Sequence, residues 1–250
     1  MDIQLNNSEE SKNRIKWILI CHGIGWILFS IVILAIGDSE LLLIFNPDDM
    51  DTTNIIYILI KLYSDLHYIL LIGIFIMVPV FLAVPKLEGY RRPMLESFTS
   101  MIIGGFLVTQ VMKAGIARFR PFDESSPIAD QINLFGDIQE GRDAGSMPSG
   151  HVSTTGSLML PHAIHLKNRV TATIISVYCA GMMFARMFLG MHYATDVLVG
   201  SIVYVVVAIV TFYLYELLYQ KIEMKNKYEW LIYVVIVVSI LTLIIALQFL

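Results

Sequence analysis

Seven apolar runs constrain this chain before anything else: residues 17–36, 57–84, 97–113, 151–167, 170–190, 196–219 and 229–250. A bilayer core takes roughly 20 apolar residues per helix. Within it the backbone must satisfy its own polar groups, and helices do so. The expected fold class is therefore all-α: a polytopic membrane helix bundle. Charged residues make up 15% of the chain, against about 25% in soluble domains. The first run is longer than the apolar part of a signal peptide and lacks a small-x-small cleavage site, so it reads as a retained span. The fourth is the least apolar, because Ser153, Thr154, Thr155, Gly156 and Ser157 fill its first turns. Such residues suit a helix buried between neighbours, where close packing replaces lipid contact. In the second run, Asn54 and the residues before it can cap a helix. Ile55, Ile58, Leu59, Leu62 and Leu66 recur at helical spacing. An interfacial amphipathic turn leading into the span is expected there.

Loop charges set the orientation. Lys12, Arg14, Lys16, Lys86, Arg91, Arg92, Lys167, Arg169, Lys221, Lys225 and Lys227 are eleven of the seventeen basic residues, and all fall in alternate loops. The loop over 37–54 has none and carries Asp38, Glu40, Asp48, Asp49 and Asp51. The N-terminus is thus expected inside. Residues 1–16 then form a cytoplasmic tail, 17–219 a six-span core, and 220–250 a cytoplasmic loop with an extra C-terminal span. A net charge of -4 suggests no nucleic-acid partner. Cys21 and Cys179 lie inside apolar runs and read as buried small hydrophobes rather than a disulfide.

Three polar clusters sit where spans meet loops on one expected face of the membrane. The first holds Lys113, Arg120 and Pro121. The cations are seven residues apart, about two helical turns, and Pro121 would end that helix. Taken alone, such cations could simply snorkel at the interface. The second is Pro148-Ser149-Gly150-His151, directly before a span. Gly150 permits close backbone approach, and the N–H groups of a helix start cradle anions. Ser149 could cap the helix or donate to a phosphate oxygen, and His151 is placed to hand on a proton. The third runs from Arg186 to His192 and Asp196. The last two are four apart and would be neighbours on a helix. A carboxylate there would fix the imidazole tautomer and leave the other nitrogen free to attack. Arg118 could serve an extra phosphate or face headgroups. Asp65 and His67 read as an interfacial pair, while His162 and His165 lie at the other end of the fourth span. The acidic stretch from Phe122 to Met147 joins the first two clusters as a candidate lid.

In order, the clusters resemble the type 2 phosphatidic acid phosphatase superfamily, whose pattern is K-x6-R-P, P-S-G-H and S-R-x5-H-x3-D. Lys113, Arg120 and Pro121 match the first element, and residues 148–151 the second. Arg186, His192 and Asp196 match the third, with Ala185 in place of its leading Ser. The resemblance implies a six-helix phosphatase core, and a membrane lipid phosphate as substrate. His192 would be the nucleophile, Asp196 its orienting partner and His151 the general acid. Lys113, Arg120, Ser149, Gly150 and Arg186 would bind the phosphoryl oxygens. It implies no metal and no cofactor. A polyprenyl diphosphate is the first expected substrate, followed by phosphatidate, phosphatidylglycerophosphate or lipid A phosphate. In a prokaryote the membrane would be the cytoplasmic one, with the site outside. The alternatives are a vanadate-dependent haloperoxidase, which shares the anion pocket, and a silent headgroup binder or transporter. Oligomeric state is not legible.

Overall fold

The structure, a computed structural model, describes residues 7–47, 53–134, 145–222 and 226–247. Their regular elements are helical: α1 Ser8–Ile36, α2 Asp38–Phe45, α3 Ile55–Ala83, α4 Arg91–Ser100, α5 Thr109–Ile116, α6 Gly150–His165, α7 Arg169–Phe188, α8 Ala194–Ile222 and α9 Asn226–Leu247. A π-helical stretch, Met101–Val108, joins α4 to α5 without a break. The starts are set by local chemistry. The Asn7 side chain accepts from the Glu10 N–H while Glu10 reaches back to Asn7. Asn54 accepts from Ile56, and Asn168 from Val170 and Thr171. Each satisfies N–H groups that a helix start leaves open.

Among the described residues, five helical stretches are long and apolar enough to cross a membrane: Ser8–Ile36, Ile55–Ala83, Pro85–Ile116, Arg169–Phe188 and Ala194–Lys221. The fold is thus an all-α membrane helix bundle. At its centre lies α6, only 16 residues long, with almost every side chain buried. It packs against α4, the π-helical stretch, α7 and α8. Small residues let the backbones close in. A Cβ on Gly156 would fall 2.1 Å from the Tyr204 ring, and one on Gly105 would fall 2.6 Å from Thr154 Oγ1. The small polar run from Ser153 to Ser157 therefore marks the most enclosed helix of the bundle.

Some expectations are corrected. α3 is one continuous helix from Ile55 to Ala83, so the amphipathic stretch expected over Ile55 to Leu66 is part of it rather than a separate element among the described residues. Ile55, Leu59, Leu62 and Leu66 stay exposed along it, as lipid-facing residues would. Cys179 is buried, whereas Cys21 is exposed on α1; both are free thiols. In the C-terminal run, α9 lies against α3 and α4, with the Tyr233 hydroxyl donating to the Phe75 carbonyl at 3.0 Å. Residues 248–250 of that run, and 135–144 of the expected lid, lie outside the described residues.

Candidate active site

The three clusters meet at one end of α6. α5 closes sooner than expected. Ala117 adopts a left-handed conformation (φ 47°), its N–H bonded to the Lys113 carbonyl at 2.9 Å. Arg118 and Arg120 therefore project from a non-helical segment, and Pro121 is not the helix terminator. This turn bends the chain back over α6 and α8. The Arg118 carbonyl accepts from the N–H groups of Gly145 (3.0 Å) and Ser146 (2.9 Å), which ties the first cluster to the second. The Ser149 N–H donates to the Asp196 carbonyl at 3.0 Å, which ties the second to the third. Gly200 lets α8 approach, since a Cβ there would sit 3.0 Å from the Ser149 carbonyl oxygen.

Within this frame Ser149 precedes α6, its side chain making no cap. Its buried Oγ has no hydrogen-bond partner among the described residues, an arrangement that costs free energy unless a ligand completes it. The Lys113 ammonium stands over Gly150, with Nζ 3.9 Å from where a Cβ would be. Arg120 donates to the Met191 carbonyl at 3.4 Å, and Arg186 to Ser64 Oγ at 3.0 Å. Both arginines are buried.

His192 lies in the turn between α7 and α8. Gly190 makes that turn possible with φ +68°, a region costly for residues bearing a Cβ. Asp196 is in the first turn of α8, so the two are neighbours across a helix start rather than along a helix. His192 Nδ1 is 3.6 Å from Asp196 Oδ2, beyond hydrogen-bond length. Asp196 is already engaged. Its Oδ2 accepts from Ser146 Oγ and from the Tyr193 N–H at 2.9 Å, and its Oδ1 accepts from Arg118 at 2.8 Å. The His192 imidazole is held well below its ordinary pKa. Burial is the largest cause, and the positive charges of Arg120, Arg186 and Lys113 add to it. One cation from the third cluster and both from the first thus act on the same ring.

Several site residues were not apparent in the sequence. Arg118 is engaged within the protein. It bridges Asp196 and Asp38 (2.8 and 2.7 Å), donates to Thr195 at 2.5 Å, and lies 3.9 Å over the Tyr193 ring. Asp38, at the start of α2, also accepts from the Thr195 N–H at 2.8 Å. The expected pairing of Asp65 with His67 does not occur. Asp65 bonds Lys61 at 3.0 Å, one turn away on an exposed side of α3. His67 turns inward to Thr155 at 3.0 Å. The only hint was the polar spacing of Ser64, His67 and Tyr68 within an apolar run. As expected, His165 lies at the other end of α6, bonded to Glu96 at 2.7 Å. Among the described residues no group of three His, Cys, Asp or Glu is arranged to hold a metal ion.

Residues 94–220, just over half of the chain and a stretch holding all three clusters, match the model of the PAP2 superfamily. The chain belongs to this superfamily. Its three PAP2 clusters come from elements inside the matched stretch, whereas Ser64 and Asp38 reach them from outside it. Among solved structures, LpxE of Aquifex aeolicus aligns with a TM-score of 0.55 at 16% identity, covering 70% of this chain and 93% of that one. At such identity the likeness is one of fold. No curated protein matches the chain. PAP2 membership and the membrane-length helices together support a membrane phosphatase.

Proposed function

We propose that this protein is a lipid phosphate phosphatase, with a polyprenyl diphosphate as the favoured substrate. Phosphatidate, phosphatidylglycerophosphate and lipid A phosphate follow. The observation that carries the reading is the convergence of Lys113, Arg120 and Arg186 on His192, beside the buried Ser149 Oγ, which has no partner among the described residues. Two arginine forks and an ammonium suit an anion dense in charge. A diphosphate presents more charge than a monoester, which is why it comes first. The site lies at the end of a helix bundle with lipid-facing flanks, so the substrate's tail can remain in the bilayer.

With Nδ1 of His192 turned toward Asp196, Nε2 attacks phosphorus. The P–N bond forms as the bond from phosphorus to the leaving oxygen breaks, and His151 protonates that oxygen. Lys113, Arg120, Arg186, Ser149 and the N–H groups at the start of α6 hold the equatorial oxygens as their charge redistributes. Water then cleaves the P–N bond and frees phosphate, and solvent returns a proton to His151. Arg118 and Asp38 keep Asp196 in place throughout.

Phosphate release by detergent-purified protein tests this. The panel is the four lipids above, assayed with EDTA present. Release that EDTA spares and His192→Ala lowers by about a thousandfold or more would support the reading, and the fastest lipid would name the substrate. No release from any lipid would refute it.

A further inference from the structure

One side of His151 is walled by α3, a helix that contributes nothing to the three sequence clusters and precedes the matched family segment. Ser64, His67 and Tyr68 fall on one face of it, three and four residues apart. Ser64 Oγ accepts from Arg186 at 3.0 Å. The His67 ring lies 4.4 Å from that of His151, centroid to centroid and tilted by 36°. Tyr68 meets the same His151 ring edge-on at 5.2 Å. His67 is buried, and its Nδ1 is anchored 3.0 Å from Thr155 Oγ1. Thr155 stands one turn beyond His151 on α6, so anchor and acid share one rigid helix. Four charged or titratable groups act on His151: Arg186 from α7, His67 from α3, His192 from the turn before α8, and Arg120 from the segment after α5.

A histidine that protonates a leaving oxygen must present its ring in one direction, because proton transfer needs hydrogen-bond geometry. His151 is partly exposed, and no hydrogen bond among the described residues fixes its ring. What meets it are the rings of α3. We propose that His67 is a positioning residue for the leaving-group step: anchored by Thr155, its ring stacks on His151 and sets the direction in which that acid delivers its proton. The inference rests on His151 being the leaving-group acid, as read above. His67 forms and breaks no covalent bond. The proton passes from His151 to the oxygen leaving phosphorus, while the P–N bond to His192 forms.

The test compares two leaving groups. A lipid alkoxide needs a proton to depart, whereas p-nitrophenolate leaves without help. His67→Ala should lower kcat for the phosphate monoester of the panel cleaved fastest, whose leaving group is an alkoxide, by about 10- to 100-fold, while p-nitrophenyl phosphate turnover and both KM values move by less than about threefold. His67→Phe, which keeps a ring against His151, should restore most of the lipid rate. Thr155→Val removes only the anchor and should give the same selectivity at smaller size, which also covers the case of a His67 variant that does not fold. Equal losses on both substrates, or no loss on the lipid, would overturn the assignment. These outcomes separate from failure of the phosphatase reading. A wild type that turns over and requires His192, with His67 variants indifferent to the leaving group, sinks only this inference. A wild type inactive on both substrates sinks both.

Discussion

The two ends of α6 hold similar side chains and treat them differently. At the end away from the site, Glu96 accepts from Arg92 and pairs with His165, both at 2.7 Å. Arg92 also bonds Glu216 at 2.9 Å, and Glu216 receives Ser8 and Gln220 at 2.5 and 2.8 Å. Cations and carboxylates there answer one another within the protein. At the site end, the described residues set Lys113, Arg118, Arg120 and Arg186 around the carboxylates of Asp196 and Asp38, and Arg118 engages both. The far end is a network of paired charges, with Arg92 Nη2 left without a partner among the described residues. Among the described residues, the site end holds more cations than carboxylates, and a buried serine hydroxyl has no partner. Charge balance, rather than the presence of His, Arg and carboxylate together, separates a structural cluster from an anion site.

If that contrast is right, substitutions at the two ends should fail in different ways. Glu96→Gln leaves the buried His165 and the partly buried Arg92 beside a neutral partner, and should destabilise the fold by about 1–3 kcal/mol. Turnover per folded molecule should stay near wild type; thermal unfolding in detergent, with activity normalised to folded protein, measures both. A selective loss of activity would break the comparison. Arg120→Lys should do the reverse, because an ammonium cannot reproduce a guanidinium fork. Activity should drop about 10- to 100-fold with little change in unfolding temperature.

A smaller effect sharpens the electrostatic claim. The His192 pKa lies below its ordinary 6.5, with burial the main cause and three cations adding to it. The neutral ring is the nucleophile, so the acid limb of kcat/KM assigned to it should lie below pH 6.5. Lys113→Gln removes one cation and should move that limb upward. The stability sign is set by the same shift. The unfolded ring takes a proton below about pH 6.5 while the folded ring does not, so this group's contribution is present above that pH and lost as pH falls. A limb that stays in place in the variant would mean that Lys113 does not act on His192.

Much of this was legible in the sequence, for reasons that also explain what was not. The spans showed as apolar runs, and the three clusters as residue types at set spacings, because those signals are local. Even the short, polar α6 announced its burial through Ser153 to Ser157. The turn at Ala117 gave no signal, since alanine seldom takes a positive φ, and so Lys113 and Arg120 were expected on one helix face. The roles of Asp38, Arg118 and Ser146 around Asp196 were also hidden. They depend on which side of α8 meets α2 and the segment after α5, and no spacing encodes that. His67 was misread because its sequence neighbour Asp65 offered a plausible partner, whereas helix rotation sends the two to opposite sides of α3.

The central claim is that the cation-rich end of α6 is a phosphoryl site with His192 as its nucleophile. Rapid quenching of wild-type protein turning over a 32P-labelled lipid phosphate, followed by peptide mapping, tests it most directly. The account predicts an acid-labile, alkali-stable label on the peptide that holds His192. A label on any other residue, or turnover that persists in His192→Ala, would contradict it.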